Sequence, residues 1–591
     1  MKIAVAGGGP SGLYFAMLAK RGDPRHDVTV YERNRPDDTF GFGVVFSEKT
    51  MNYLREQDAR THAEILAAAY AWDPIEIRIH GRVLSCGGIG FWAISRKRLL
   101  DILQRGAAKE GVDLRFQAEL KNPSELLEDN DLVAAGDGVN SIFRNHWADQ
   151  FQPSIEVGRT VFAWYGAAQR FPSFTFLFEQ NDAGRFCAHI YPYEEGLSTF
   201  IVETDPESWR RAGFEESNRA AQAPGQSDLF GLQYFEKLYA GHLDGHPLLA
   251  NNSKWAPFRT LRNRVWHHRN LVLMGDAAHT AHFSVGSGTK MAMEDAIALA
   301  FALQQNPADL PATFAAYEAE RRPRVEAIQR ASRPSLRWYE QFRHYWDFTP
   351  ERFSFHFLTR GNFDYGQLKE RDPDFVAEVE RVVAPELGPL AHRVLTRSDL
   401  GRFLWLEQPF AEPSAIDRTQ MQRVVAGLSA SAAEAPLDRG LLVILGRGGL
   451  FHAFLSPLTN HREDEHGGSL ENRMAFPLEV VAAVRGASRS ELWVQVSATD
   501  WLPGGFTDDD AVVLAKRLKE AGVDVVLVES GHLSRASIPW YGRCFNAQFS
   551  DRVRNEAHVR TAVAGGILTS DDALNVLLAG RADLVVADRP L

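Results

Sequence analysis

Residues 1–12 read Met1-Lys-Ile-Ala-Val-Ala-Gly7-Gly-Gly9-Pro10-Ser11-Gly12, and an apolar stretch runs on from there to Arg21. The first residues predict a buried strand and the later ones a helix start, with Gly7-x-Gly9-x-x-Gly12 between them. Gly7 permits a tight turn, Gly9 lets backbone approach a pyrophosphate, and Gly12 lets the helix pack on the strand. The unpaired N–H groups of that helix start, around Pro10 and Ser11, face phosphate. Val28-Thr-Val-Tyr-Glu32 predicts the next strand, and Glu32 sits about twenty residues on, where a carboxylate accepts from a ribose hydroxyl. Arg33 follows it. The stretch therefore predicts a Rossmann-type dinucleotide-binding sheet.

Working outward, 591 residues exceed one core and predict two to four domains. Net charge is −11 and no long Lys/Arg run occurs, which argues against nucleic acid or an anionic membrane as the main partner. Cys86, Cys187 and Cys544 lie far apart, with neither disulfide nor metal-ligand spacing, as expected in a reducing cytoplasm. Met1-Lys2 leads straight into the first strand, leaving no room for a signal peptide. No stretch is apolar for the length of a membrane helix, and no metal site is expected.

Three further segments extend the first motif. Asp131–Ala135 predicts a strand that ends at Asp137-Gly138. Leu271-Val-Leu-Met-Gly275-Asp276 predicts another, followed by Gly286-x-Gly288 and a helix over 291–303. Ser95-Arg96 opens a helix with Arg in its first turn. Alone, each has a structural reading: a turn, or a solvated charge. In this order they resemble the group A flavoprotein aromatic hydroxylases, the para-hydroxybenzoate hydroxylase fold, over residues 1–370. The resemblance implies FAD, with Arg96 on the pyrophosphate, Asp137-Gly138 beside FAD and the pyridine-nucleotide route, Asp276 on the ribitol, and the Gly286–Gly288 helix start at the flavin pyrimidine edge. In place of the usual proline after Gly-Asp-x-x-His, the chain has His279-Thr-Ala-His282-Phe283. That stretch and Gly41–Ser47 resemble the salicylyl-CoA 5-hydroxylase and 2-aminobenzoyl-CoA monooxygenase/reductase subfamily.

Residues 155–204 alternate apolar and polar, which predicts an antiparallel sheet. In the resembled fold it roofs a substrate pocket. The implied chemistry is reduction of FAD by NAD(P)H and oxygen transfer through a flavin C4a-hydroperoxide to an electron-rich ring, in a dry cavity. His282 and His189 are the catalytic candidates, His282 the stronger. Phe46, Trp164, Tyr191 and Phe283 are the substrate-binding candidates, although core packing explains Trp164 and Tyr191 as well.

From 440 onward, buried strands at 440–445, 492–497, 523–528, 561–564 and 583–587 alternate with helical patterns, a βα repeat. Phe454-Leu-Ser-Pro457 to Asn472-Arg473, and Ser497–Trp501, resemble the old yellow enzyme family, whose barrel binds FMN. The register places that family's paired histidines on Ile444 and Arg447 and its FMN-contacting Arg on Gln495. Its Gly-Arg phosphate segment falls on Asp588-Arg589. The expected domains are a FAD monooxygenase domain over 1–370, a helical linker or remnant over 371–439, and a degenerate half (β/α) barrel over 440–591 without FMN. The open edges of a half barrel need covering by residues 371–440, the N-terminal domain or another subunit, and a homo-oligomer is expected. The functional expectation is a single-component flavin hydroxylase of a phenol, aminoarene, hydroxypyridine (as in piericidin-type tailoring) or aryl-CoA. A bifunctional enzyme with a working FMN barrel and a non-catalytic flavin protein are the alternatives.

Overall fold

The computed structural model describes all residues except Phe40, Gln222, Pro224, Ser287, Asn362 and Trp540. The chain divides into two compact units, Met1–Arg343 and His344–Leu591. Among the described residues no helix is long and apolar enough to cross a membrane.

In the first unit, Lys2–Ala6 lies at the centre of a six-stranded sheet, between Asp27–Tyr31 and Leu132–Ala135. Leu271–Leu273 pairs parallel beyond Leu132–Ala135, and Asp113–Arg115 beyond Asp27–Tyr31. The central strands are buried on both faces, so they read as unbroken apolar runs. Helices Pro10–Gly22, Arg96–Glu110 and Gly288–Gln305 share one core with them.

The second sheet has eight strands. Pro153–Ala167, Leu197–Thr204, Gly184–Glu194 and Phe174–Asn181 are antiparallel neighbours in that order. Side chains alternate across it. Ala163, Tyr165, Leu177, Ala188, Ile190, Phe200 and Val202 pack on Phe214, Phe235 and Tyr239 of the covering helices. The opposite parity carries Trp164, Phe174, His189, Tyr191, Ile201 and Glu203, so the two-residue period itself delivers these side chains to one face.

The second unit holds seven parallel strands. From edge to edge they are Val394–Thr396, Leu584–Ala587, Thr561–Ala564, Val525–Glu529, Leu492–Ser497, Gly440–Ile444 and Phe403–Leu406. All five strands expected after residue 440 are present. The 371–439 stretch contains helices Pro373–Leu387 and Arg418–Glu434, and in addition both edge strands. Those two strands are consecutive in sequence yet form opposite edges, so the sheet must curl to bring them within reach of a short connection. A single interior cluster confirms the curl, joining Phe403 to Leu442, Trp493, Leu527, Ala562, Leu584 and Leu395. This barrel is incompletely closed, and its edges are strands of the same chain. Of the coverings expected for the half barrel, residues 371–439 supply one more strand at each edge.

Candidate active site

Three turns of the first unit converge on one cavity of about 600 Å³. The first is Gly7–Ser11. Gly7 has φ +101°, and a Cβ there would lie 2.4 Å from the Gly136 oxygen. A Cβ on Gly12 would lie 2.0 Å from the Gly7 oxygen, whereas one on Gly9 meets nothing within 4 Å. Gly12 is therefore a packing residue behind the turn, and Gly9 opens onto the cavity. Gly7, Gly9, Pro10 and Ser11 line it, as do Glu32 and Arg33; Gly12 does not. Glu32 accepts from the Gly8 N–H at 2.7 Å, tying the acid to the glycine loop.

The second turn carries Asp137 and Gly138, both on the wall. Asp137 Oδ2 accepts from Ile142 N at 2.8 Å, while its buried Oδ1 has no partner. Burial pushes this carboxyl above the usual range, against the hydrogen bonds at Ser141 and Ile142. Arg144 braces this turn against the third, donating to the carbonyls of Val139 at 2.6 Å and Ala277 at 3.3 Å.

The third turn is Gly275–Ala277. Asp276 is enclosed by protein yet accessible, because the surface it exposes is the cavity wall; Gly275 stays behind it. Burial raises the Asp276 carboxyl, and Arg96 across the cavity works to lower it. Neither side chain makes an ion pair among the described residues. Behind the turn, Asp295 accepts from Gly275 N, His279 Nε2 and Arg321 Nε at 2.8–2.9 Å. Burial works to raise Asp295, but His279 and Arg321 hold it below the usual carboxylate range. Gly286 and Gly288 complete this end of the wall at the start of Gly288–Gln305, where the first N–H groups have no intrahelical acceptor.

Beyond them the wall turns aromatic, with Trp164, Phe174, His189, Tyr191, Ile201, Phe258 and Phe283. Tyr191 donates its hydroxyl to Gly43 O at 3.0 Å, and burial pushes its pKa well up, so it stays protonated. Phe46 and His282 lie off the wall. Phe46 is fully buried in the dinucleotide-domain core, and His282 sits behind Phe283, with ring centroids 4.3 Å apart. The signal for Phe46, a Gly-rich apolar stretch, is equally that of a short core strand, Gly43–Ser47.

The donor set fits FAD. Thr39 Oγ1, Asp137 Oδ1 and Trp164 Nε1 are buried on the wall without protein partners. Such groups cost about 1–3 kcal/mol each unless a ligand satisfies them. An acid beside a glycine turn, an Arg, two carboxyls and a helix start share the cavity wall, a set that suits ribose, pyrophosphate, ribitol and flavin in chemistry.

In the second unit, side chains at the C-terminal ends of the barrel strands pair with one another. Arg447 grips Glu529 with two bonds, at 2.6 and 2.9 Å, and its guanidinium lies 5.1 Å from the Trp405 ring centroid. Gln495 donates to Glu529 at 3.0 Å and accepts from Gly446 N at 3.0 Å. Ile444 belongs to the apolar interior. Asp588 accepts from Gly566 N, and Arg589 donates to Leu568 O. Burial works to raise Glu529, but Arg447 holds it below the usual range.

A family model described as an FAD binding domain matches residues 1–332, and one described as the NADH:flavin oxidoreductase / NADH oxidase family matches residues 419–591. A salicyloyl-CoA 5-hydroxylase of Streptomyces sp is 49% identical over 395 residues, 66% of this chain and 76% of that protein. A 3-hydroxy-4-methyl-anthranilyl-[aryl-carrier protein] 5-monooxygenase of Streptosporangium sibiricum is 37% identical over 372 residues, 63% of this chain and 96% of that protein. An NADPH dehydrogenase of Geobacillus sp. (strain WCH70) is 43% identical over 161 residues, and the chain spans 46% of its length. The glycine turns, the paired acids and these relatives agree: the chain belongs to the FAD binding domain family and is an FAD-dependent aromatic monooxygenase.

Proposed function

We propose that the chain is a single-component hydroxylase that uses NAD(P)H and O2 to oxygenate a hydroxylated aromatic ring presented as a thioester. The observation that carries this reading is the continuity of one cavity, from the Glu32 and Gly9 donors to the wall of Trp164, Phe174, Tyr191 and Phe283. The thioester is supported by the two monooxygenase relatives, whose names place the acyl group on coenzyme A and on a carrier protein. When bound, the flavin supplies hydride acceptance and oxygen activation. The protein's part is to orient the ring, exclude water and manage protons. Arg96 and the Gly288 helix start offer positive potential where charge builds up. Cys86, Cys187 and Cys544, which form no disulfide among the described residues, fit a cytoplasmic enzyme.

A second reading, a bifunctional enzyme with FMN in the barrel, is favoured by the NADH:flavin oxidoreductase match over 419–591. The pairing of Arg447, Gln495 and Glu529 among themselves supports the first reading, since FMN would have to displace buried charge partners. Flavin released by heat and resolved by chromatography tests both. One FAD and no FMN per chain, with salicyloyl-CoA-stimulated NAD(P)H oxidation, is the expected result. FAD with FMN would establish the second reading, and absence of FAD would overturn both.

A further inference from the structure

The aromatic end of the cavity has one imidazole on its wall, His189, and a second one behind it, His282. Both converge on a carboxylate absent from the sequence-derived site, Glu203 on the Leu197–Thr204 strand. Glu203 is 0% exposed. Its Oε2 lies 3.2 Å from His189 Nε2 and its Oε1 lies 3.6 Å from His282 Nε2, while Thr160 Oγ1 donates to Oε1 at 2.6 Å. Strand pairing sets this up, since His189 is directly opposite Ile201 and Cys187 opposite Glu203. His189 and Glu203 are therefore diagonal neighbours on one face, close enough for long side chains to meet.

The two imidazoles are not equivalent. His282 Nδ1 lies 3.4 Å from Ser284 N, which donates to it, and 2.7 Å from Ser284 Oγ. Ser284 Oγ in turn lies 2.9 Å from Ser335 Oγ. With Nε2 toward Glu203, both nitrogens of His282 face the protein. The His189 ring instead stands on the cavity wall, with Phe176, Phe283 and Tyr339 at centroid distances of 5.3, 5.4 and 4.8 Å. The 3.2 Å approach of His189 Nε2 to Glu203 Oε2 is an ion-pair distance rather than a hydrogen bond, and since a carboxylate can only accept, it suits a protonated Nε2 and an imidazolium once a second proton arrives. Tyr191, a hydroxyl-bearing side chain at this end, gives its hydroxyl to Gly43 O.

We infer that Glu203 is a positioning residue that holds His189 as the base for a ring hydroxyl. This rests on the proposed function and names the proton-handling group within it. The substrate O–H bond breaks, its electron pair stays on the ring oxygen, the proton bonds to the His189 imidazole, and Glu203 balances the imidazolium charge. No oxidant or reductant enters the step. The ring becomes richer at carbons ortho and para to the oxygen, as electrophilic oxygen transfer needs. Other charged and titratable groups around the dyad are His282, Tyr339 and Glu340, with Arg159 and Arg337 facing Glu340.

The test uses the FAD-loaded full chain with salicyloyl-CoA as probe. Ultraviolet difference spectra across pH measure the midpoint at which the bound probe becomes phenolate, and product per NAD(P)H consumed is measured in parallel. The wild-type midpoint is expected about one pH unit or more below that of free probe. Both His189→Gln and Glu203→Gln are expected to raise it toward the free value. Their product yield should fall about tenfold near neutral pH and recover as pH rises. A wild-type midpoint equal to that of free probe overturns the inference without needing any variant to fold. A midpoint moved by His282→Gln but not by His189→Gln overturns the assignment of the base. A flavin-loaded wild type that leaves salicyloyl-CoA unhydroxylated overturns the proposed function instead.

Discussion

Gly9 and Gly12 belong to the same six-residue motif, yet their surroundings demand opposite outcomes on substitution. Gly12→Ala drives a methyl into the Gly7 carbonyl, a backbone atom that cannot step aside. It should cost about 3 kcal/mol of stability in urea titrations and abolish FAD retention. Gly9→Ala places its methyl in open cavity at an ordinary φ of −80°. It should stay within about 0.5 kcal/mol of wild type while weakening FAD binding at least tenfold by ultrafiltration. Equal effects on stability would show that the motif does not divide in this way. Glu203 carries a pH prediction at the same scale. Burial works to raise its carboxyl, but the His282 and His189 imidazoles outweigh it and hold the group at about 2, against an ordinary 4.5. The folded state thus favours the ionised form. This contribution is complete above about pH 4.5 and is lost as pH falls toward about 2. Urea midpoints between pH 5 and 2.5 should fall less steeply in Glu203→Gln than in wild type.

At the scale of elements, the strands of the barrel test the curl of its sheet. Trp493 is fully buried in the interior, with its ring 4.8 Å from that of Phe403, so Trp493→Ala should cost about 3–5 kcal/mol in chemical unfolding. A cost under about 1 kcal/mol would mean that the interior is not packed. These elements also show what could be read in advance. Val525–Glu529 and Leu492–Ser497 were legible because strands covered on both faces become continuous apolar runs. Val394–Thr396 and Phe403–Leu406 were not, since three or four residues are too few to display a period. The glycine turn and Asp276, which reach the cavity wall, were legible because a tight turn after a strand and an acid at a strand end restrict residue type and spacing. Asp295, Arg321 and Glu203 were not. Arg321 sits in a charged run, Glu318-Ala-Glu-Arg-Arg322, that reads as a solvated helix face, and only tertiary packing turns one of those arginines inward to Asp295 and Glu294.

For the whole molecule, the ratio of flavin to protein is the decisive quantity. With Arg447, Gln495 and Glu529 paired among themselves, incubation with excess FMN followed by gel filtration should leave one FAD per chain unchanged. Co-elution of FMN would show that the ion pair opens to admit it. Arg447→Ala should leave Glu529 with weakened compensation and cost about 3 kcal/mol, rather than create a flavin site. The order of strands in this unit has a further consequence for how the chain acquires its shape. Val394 pairs with Val585, whereas its near neighbour in sequence, Phe403, pairs with Gly440. One edge can therefore zip early from local partners, while the other must wait on a ribosome until a segment far downstream has been made. Through that interval the nascent chain carries an unmatched strand edge, a window in which chaperone binding or misassembly with another nascent chain competes with completion of the barrel.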